Sequence, residues 1–231
     1  MFKKKKKMKQ IATRKLVTSV APTSIISEQF RKVRTNINFS MVENELQTLL
    51  FTSTSIGEGK STIAANVGIV FAQEGKKVLL VDADLRKPTM HYTFHKPNSP
   101  GLTNLLSSHC SLDQVVKESG IDGLYLITCG PIPFNPAELL SSTSMDIFIK
   151  EVRAKYDIII FDAPPTLSVS DAQILSNKCD GTILVISSGE AEKIDVLKAK
   201  EALLSSKANI IGTILNNYKI DKNHYYYQYY G

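Results

Sequence analysis

Six apolar runs of strand length, separated by amphipathic stretches, leave this chain few architectures. They occupy 49–52, 78–81, 124–127, 158–161, 182–186 and 210–215. Most are continuous rather than alternating, the pattern of strands covered on both faces in a parallel sheet. Helical periodicity falls between them, near 62–74, 136–155, 171–177 and 191–206. Strand and helix in alternation predict one doubly wound α/β domain, a mostly parallel sheet with helices on both faces. At 231 residues, 43% of them hydrophobic, the chain is long enough to bury such a core. Ahead of the first strand, Ser27 is the expected cap of a helix carrying Phe30, Val33, Ile37 and Met41 at helical spacing. The expected organisation is a basic arm and connector over 1–26, the domain over 27–220 and a tail over 221–231.

The stretch Ser55-Ile56-Gly57-Glu58-Gly59-Lys60-Ser61-Thr62 stands between the first strand and the first long helix. In that context a glycine-rich loop cradles phosphate, which makes the expected fold one of P-loop NTPase type. Gly57 and Gly59 let the backbone curl so that its N–H groups converge on phosphate oxygens, and the following helix adds the positive end of its dipole. Lys60 is expected to reach the β- and γ-phosphates of ATP, and Ser61 to place its hydroxyl on Mg²⁺. Glu58 and Thr62 complete the expected nucleotide contacts. The usual pattern has a glycine six residues before the lysine, where this chain has Thr54.

Acids close two of the apolar runs. Ile158-Ile159-Ile160-Phe161-Asp162 ends in a carboxylate before Ala163-Pro164-Pro165, and Leu79-Leu80-Val81-Asp82-Ala83-Asp84-Leu85-Arg86 supplies two more. Asp162 at a strand tip beside the loop is placed to hold Mg²⁺, directly or through water. Asp82 and Asp84, two residues apart, share one side of an extended stretch.

The formal charge is +6, but residues 1–15 alone carry +8 from Lys3 to Lys7, Lys9, Arg14 and Lys15, which leaves −2 for the rest. Such a block is either a solvated tail or a contact for anionic lipid. Nucleic acid is not expected, since no aromatic-basic face accompanies the run. Cys110, Cys129 and Cys179 are scattered and the histidines show no ligand spacing, so reduced thiols and no zinc site are expected. No apolar run approaches the roughly 20 residues of a membrane span, and no signal sequence is read at the N-terminus. The expected location is cytoplasmic. At the other end, Tyr225, Tyr226, Tyr227, Tyr229 and Tyr230 put five of the nine tyrosines in the last seven residues. A nucleotide-binding loop and a cluster of phenolic hydroxyls on one chain suggest a kinase that phosphorylates itself.

These motifs together resemble the bacterial tyrosine kinase (BY-kinase) family of capsule and exopolysaccharide synthesis. The loop is similar to that family's Walker A, Val81 to Arg86 to its Walker A′, and Ile158 to Pro165 to its Walker B. Glu28-Gln29-Phe30-Arg31-Lys32-Val33-Arg34 resembles its ExxRxxR helix, and Gly130 to Leu139 is similar as well. The Walker motifs are shared with the septum-placement and plasmid-partition ATPases, nucleotide-switched positioning proteins that form the alternative reading. Those relatives carry a signature lysine five residues before the P-loop lysine, where this chain has Ser55.

The resemblance implies that Lys60, Ser61, Mg²⁺ and Asp162 neutralise phosphate charge. It also implies that Asp82 orients the tyrosine hydroxyl and takes its proton, with Asp84 as a metal-shell or supporting acid, and that the tail is phosphorylated in a neighbour's site. Glu28, Arg31 and Arg34 would build the homo-oligomeric ring. A membrane adaptor would activate the kinase at the inner face of the membrane, with Lys3 to Lys9 near anionic lipid. Arg86 and Lys87 are open between phosphate, the opposite subunit and solvent. Asn216 is the candidate for the adenine edge, with Asn217 nearly equal to it.

Overall fold

In a computed structural model, which describes residues 16–44 and 46–219, all six apolar runs form strands. The chain opens with α1 (Val17–Val20) and α2 (Ile25–Asn44), then runs through β1 (Thr48–Ser53), α3 (Lys60–Ala72) and β2 (Val78–Asp82). Three short helices follow, α4 (Met90–Thr93), α5 (Leu102–Leu106) and α6 (Leu112–Val115), before β3 (Val116–Ile121) and β4 (Leu124–Ile127). The second half comprises α7 (Pro136–Ser141), α8 (Thr143–Arg153), β5 (Ile158–Asp162), α9 (Asp171–Lys178), β6 (Gly181–Ser187), α10 (Lys193–Ser205) and β7 (Ile210–Asn216). The strands form one sheet in the order β3-β4-β2-β5-β1-β6-β7. All neighbours are parallel except β3 with β4.

The continuous apolar runs are explained by burial on both faces. Leu49 and Phe51 of β1 point into a core shared with α2 and α3. Leu50 between them points the other way, into a core shared with α7, α8 and α9. Ile158, Ile159 and Ile160 of β5 are at most 1% exposed, and full burial of one such side chain is worth about 1.5–3 kcal/mol. A third, smaller cluster of Leu184, Ala199, Leu203 and Ala208 seats α10 on the sheet. At the amino edge, Asp180 accepts from Gln47 N at 2.9 Å, Thr48 N at 2.8 Å and Thr48 Oγ1 at 2.9 Å, and Arg153 pairs with its other oxygen. Burial opposes its charge, but these donors hold the carboxyl below the usual range.

Three local expectations need correction. Ser27 does not cap α2, which begins at Ile25. Instead Ser24 Oγ accepts from Ser27 N at 3.2 Å, while Ser27 Oγ donates to Ala21 O at 2.7 Å and Val17 O at 3.2 Å. The stretch 16–26 is therefore folded onto the domain rather than strung out as a connector. Thr18 confirms this, donating through N and Oγ1 to Asn66 Oδ1 at 3.0 and 2.8 Å from a fully buried position. The helical stretch near 136–155 is two helices, because extended Ser142 (ψ 158°) breaks the chain and caps α8 through Met145 N. Phe30, Val33 and Ile37 do face the core; Met41 lies outside the described side chains.

The order of the sheet sets the position of the site. In the ladder, Asp82 is paired with Asp162, and Phe51 with Asp162 on the other side. The carboxyl ends of β1, β2 and β5 therefore lie next to one another, and the loops leaving them converge where open parallel sheets place their ligands.

Candidate active site

The loop after β1 is held from below. Gly57 (φ +95°) and Gly59 (φ +87°) adopt the left-handed conformations that a tight phosphate loop requires. Glu58, only 3% exposed, turns its carboxylate onto the protein rather than into the opening. Its Oε2 accepts from Ser55 N at 2.7 Å, and Oε1 from Ser187 N at 3.2 Å at the end of β6. Asn216, at the end of β7, donates through Nδ2 to Glu58 O at 2.9 Å. Asn217 donates to Ser187 Oγ at 3.0 Å.

The Gly59–Asn216 approach is testable. A Cβ on Gly59 would lie 2.2 Å from Asn216 Nδ2, whereas one on Gly57 would meet nothing within 4 Å. Both substitutions carry a left-handed backbone penalty of about 1–2 kcal/mol. Gly59→Ala alone also displaces Asn216 and the turn beneath the phosphate site. The expected result is a loss of ADP affinity of about tenfold or more for Gly59→Ala and a smaller one for Gly57→Ala, read by titration calorimetry. Equal effects would remove the Asn216 contact from the account.

Three acids surround the lysine at the head of α3. Lys60 Nζ lies 3.1 Å from Asp162 Oδ1, 3.2 Å from Asp84 Oδ2 and 3.2 Å from Ser61 Oγ. Burial works against its charge, but Asp162 and then Asp84 outweigh it and leave the ammonium with a raised pKa. Asp82 and Asp162 are fully buried, and Asp84 is 6% exposed. Asp82 Oδ2 accepts from Thr89 N at 3.0 Å and Met90 N at 2.9 Å. Burial first, and then the charge of Asp162, push its carboxyl up to about 7. Asp84 Oδ1 accepts from Lys87 N at 3.0 Å. Arg86 is not a solvated charge: its Nε and Nη2 donate to Asp171 Oδ2 and Oδ1, each at 2.9 Å.

Gly57, Gly59, Lys60, Ser61, Thr62 and Asp84 line a cavity of about 770 Å³, whose far wall is Pro164, Pro165, Ser168 and Val169. Asn216 and Asn217 lie instead along a groove of about 860 Å³ between α2 and β7. The donor set fits Mg²⁺. Asp82 Oδ1 and Asp162 Oδ2 are buried without a hydrogen-bond partner, and Ser61 stands beside the lysine. Among the described residues no three histidine, cysteine or carboxylate groups form a closed cation cage. A magnesium ion here would therefore draw on Ser61, a carboxylate, water and phosphate oxygens, as a hard, strongly hydrated cation does.

Elsewhere the expected residues separate. Glu28 and Arg31 pair at 2.8 Å on the outer face of α2, and Arg31 also donates to Pro22 O at 2.6 Å. Arg34 turns inward, donating to Val70 O at 2.8 Å with Glu74 at 3.4 Å. Tyr225, Tyr226, Tyr227, Tyr229 and Tyr230, like Lys3 to Lys9, lie outside the described residues. Asp171 and Ser187 were not legible as site residues, because their partners are 85 and 129 positions away along the chain.

Among known proteins, the family described as AAA domain matches residues 46–193. The tyrosine-protein kinase YwqD of Bacillus subtilis is 51% identical over 218 residues, covering 94% of this chain and 92% of the relative. The putative tyrosine-protein kinase CapB of Staphylococcus aureus is 42% identical over 210 residues, covering 91% and 92%. Of solved structures, the kinase domain of the Escherichia coli tyrosine kinase ETK superposes with a TM-score of 0.87 at 31% identity, over 95% of this chain and 85% of that one. The chimerical protein CapA2B2 gives 0.86 at 38%, over 89% and 90%. The septum site-determining protein MinD of Pyrococcus horikoshii, at 24% identity and a TM-score of 0.65, shares the fold. Half the residues are shared with one kinase and two-fifths with another, across nearly the full length of each; this chain therefore belongs to the bacterial tyrosine-kinase family.

Proposed function

We propose that the chain transfers the γ-phosphoryl group of ATP to its own C-terminal tyrosines, one copy acting on the tail of another, within a capsular or exopolysaccharide system. The observation that carries this reading is a fully buried acid with an unpartnered oxygen, Asp82, beside Asp162 at the strand ends under the phosphate loop, in a chain that brings its own cluster of acceptor phenols. A phenol has a pKa near 10. A carboxylate at about 7 is well matched to take its proton near neutral pH. Oδ1 of Asp82, which lacks a partner, is the atom assigned that proton. Asp84, engaged by Lys60 and Lys87, supports rather than accepts. Lys60 leaves its acids to follow the phosphates, and the loop N–H groups and α3 neutralise the rest. Mg²⁺, when bound through Ser61 and Asp162, with Asp82 nearby, supplies charge compensation across the transferring phosphate. A base seated by Asn216 would occupy the α2–β7 groove.

Glu28 and Arg31 remain on the outer face of α2 for contact with a second copy in a ring, while Arg34 anchors that helix from behind. The capsule-related names of the relatives support the pathway. A membrane adaptor is assigned as the activating partner; an additional polypeptide is consistent with the two-part name of the chimerical protein CapA2B2 and with a Ralstonia nicotianae relative of which this chain covers 27%. Contact with an anionic membrane surface is assigned to Lys3 to Lys9 on the strength of their local charge; among the described residues no helix is long and apolar enough to cross a membrane.

A mixing experiment tests the reading. A Lys60→Met chain that keeps its tail is mixed with an active chain whose five tail tyrosines are phenylalanine, in the presence of Mg-ATP and an adaptor peptide. Phosphotyrosine at 225–230 of the Lys60→Met chain, found by mass spectrometry, is the expected result. ADP release without phosphotyrosine would instead make the protein a nucleotide-switched ATPase.

A further inference from the structure

The two loops that wall the 770 Å³ cavity each carry part of the chemistry. One, leaving β2, presents Asp84, Arg86, Lys87 and Thr89; the other, leaving β5, presents Pro164, Pro165, Ser168 and Val169 and ends at α9. At their roots they are joined by Ala83 N donating to Asp162 O at 3.0 Å. Farther along both, they are joined again by the two parallel hydrogen bonds of Arg86 to Asp171. Asp171 is fully buried, and both of its oxygens are satisfied by that guanidinium. Arg86 is the partly exposed member, with a side chain 39% accessible at the cavity wall. A planar fork satisfies both carboxylate oxygens at a fixed distance and angle, which an ammonium cannot do.

We propose that Arg86, gripped by Asp171, is a positioning residue of phosphoryl transfer: it fixes the gap between the two loops and with it the approach of the acceptor hydroxyl to the phosphate. The inference rests on the kinase reading above. Binding phosphate is the competing role: Nε and Nη2 are committed to Asp171, so a phosphate would take the remaining N–H groups of the fork, and the nucleotide-affinity arm of the test separates the two roles. The effect of the clasp falls on the reacting geometry, where a displacement of about 1 Å is enough to lower a rate roughly 100-fold. Nucleotide affinity, set by the loop after β1, is left alone.

The test uses the full chain and three variants: Arg86→Lys, Asp171→Asn and the double substitution. Tyrosine phosphorylation is expected to fall by about 10- to 100-fold in each. The KM for ATP and the affinity for a fluorescent ADP analogue with Mg²⁺ should stay within about threefold. The double variant is expected to be no worse than the worse single one, because the pair acts as a unit. A loss of ADP affinity in step with the rate would overturn the proposal in favour of phosphate binding. A lower melting temperature with an unchanged rate per folded molecule would reduce the pair to a structural role, and multiplicative losses would show the residues to be independent. Absence of phosphotyrosine in the unmodified chain would mark failure of the kinase reading instead. The same cycle read on ADP release would then judge the clasp, with unaltered turnover in all three variants counting against it.

Discussion

A chain in which Lys60 is replaced by methionine is expected to form no phosphotyrosine and to lose stability in a way that depends on pH. The loss of activity follows from removing the one side chain poised between the acids and the phosphate site, at least about 10²–10³-fold for such an electrostatic group. The loss of stability follows from the acids left behind. Asp162, fully buried, and Asp84, 6% exposed, lie 3.1 and 3.2 Å from the ammonium and would lose their counter-charge. Breaking one side of a buried pair costs about 3–5 kcal/mol. The pKa of the lysine is raised, so its contribution is complete throughout the neutral range and is lost only as pH rises through the folded pKa. Any change of the deficit between pH 5.5 and 8 comes from Asp82, whose carboxyl is raised to about 7 and whose charge Lys60 favours, so that loss of the ammonium penalises its ionised form at the higher pH. Urea titrations of nucleotide-free, metal-free protein should therefore show a larger deficit at pH 8 than at pH 5.5. A deficit that is absent, or that does not change with pH, would contradict this electrostatic account of the pocket.

Asp82→Asn is expected to act in the opposite direction on stability and the same direction on activity. The carboxyl of Asp82 is raised from 3.8 to about 7 by burial and by Asp162. Between those values the folded chain keeps a proton that the unfolded chain has released. This group's contribution is therefore intact below pH 3.8 and lost as pH rises through 7, a change of up to about 4 kcal/mol at 1.36 kcal/mol per unit. An asparagine places its carbonyl where Oδ2 now accepts from Thr89 and Met90, and it carries no charge. Above pH 7 the variant should be more stable by about 2–4 kcal/mol, which is roughly 5–10 °C in melting temperature for a chain of this size. The gain should vanish near pH 4. Phosphotyrosine formation should meanwhile fall by about 10²–10⁴, the range of a general base. A variant no more stable than the parent at pH 8 would remove the strain from Asp82, and an active one would remove the base.

What was legible in the sequence was whatever is written in adjacent residues. Uninterrupted runs of Leu, Ile, Val and Phe marked the central strands because burial on both faces forbids alternation, and the glycines of 57 and 59 marked the phosphate loop because few other residues adopt its backbone. β3 was missed for the complementary reason. Val116-Lys117-Glu118-Ser119-Gly120-Ile121 is an antiparallel edge strand, mostly only part-buried and interrupted by a bulge, so its sequence carries no continuous apolar run. The helical stretch over 136–155 concealed a break because Ser142 fits a helix surface and a helix cap equally well. At the site, three acids and a lysine were visible, but not the hydrogen-bond partners that hold them. Glu58, inside the phosphate loop, faces away from the cavity, and Arg86 finds its partner on another element. Such pairings depend on which strands are neighbours, and a linear pattern does not carry that information.

Helix α3 is anchored to the N-terminal elements at several heights. Its head is Lys60; midway, Asn66 holds Thr18; at its far end Arg34 of α2 donates to Val70 O, and Gln73 Nε2 donates to Thr18 O at 3.0 Å. Thirteen residues of α-helix make a rod of about 20 Å. Its tip is the phosphate end, and its shaft and base are fastened to the outermost N-terminal helices. The outer helix α2 and the segment at Thr18 are thus tied by hydrogen bonds to the same stiff member whose first residue is Lys60. A shift of α2 against the sheet would therefore have to break these bonds or move the lysine end of α3 with it.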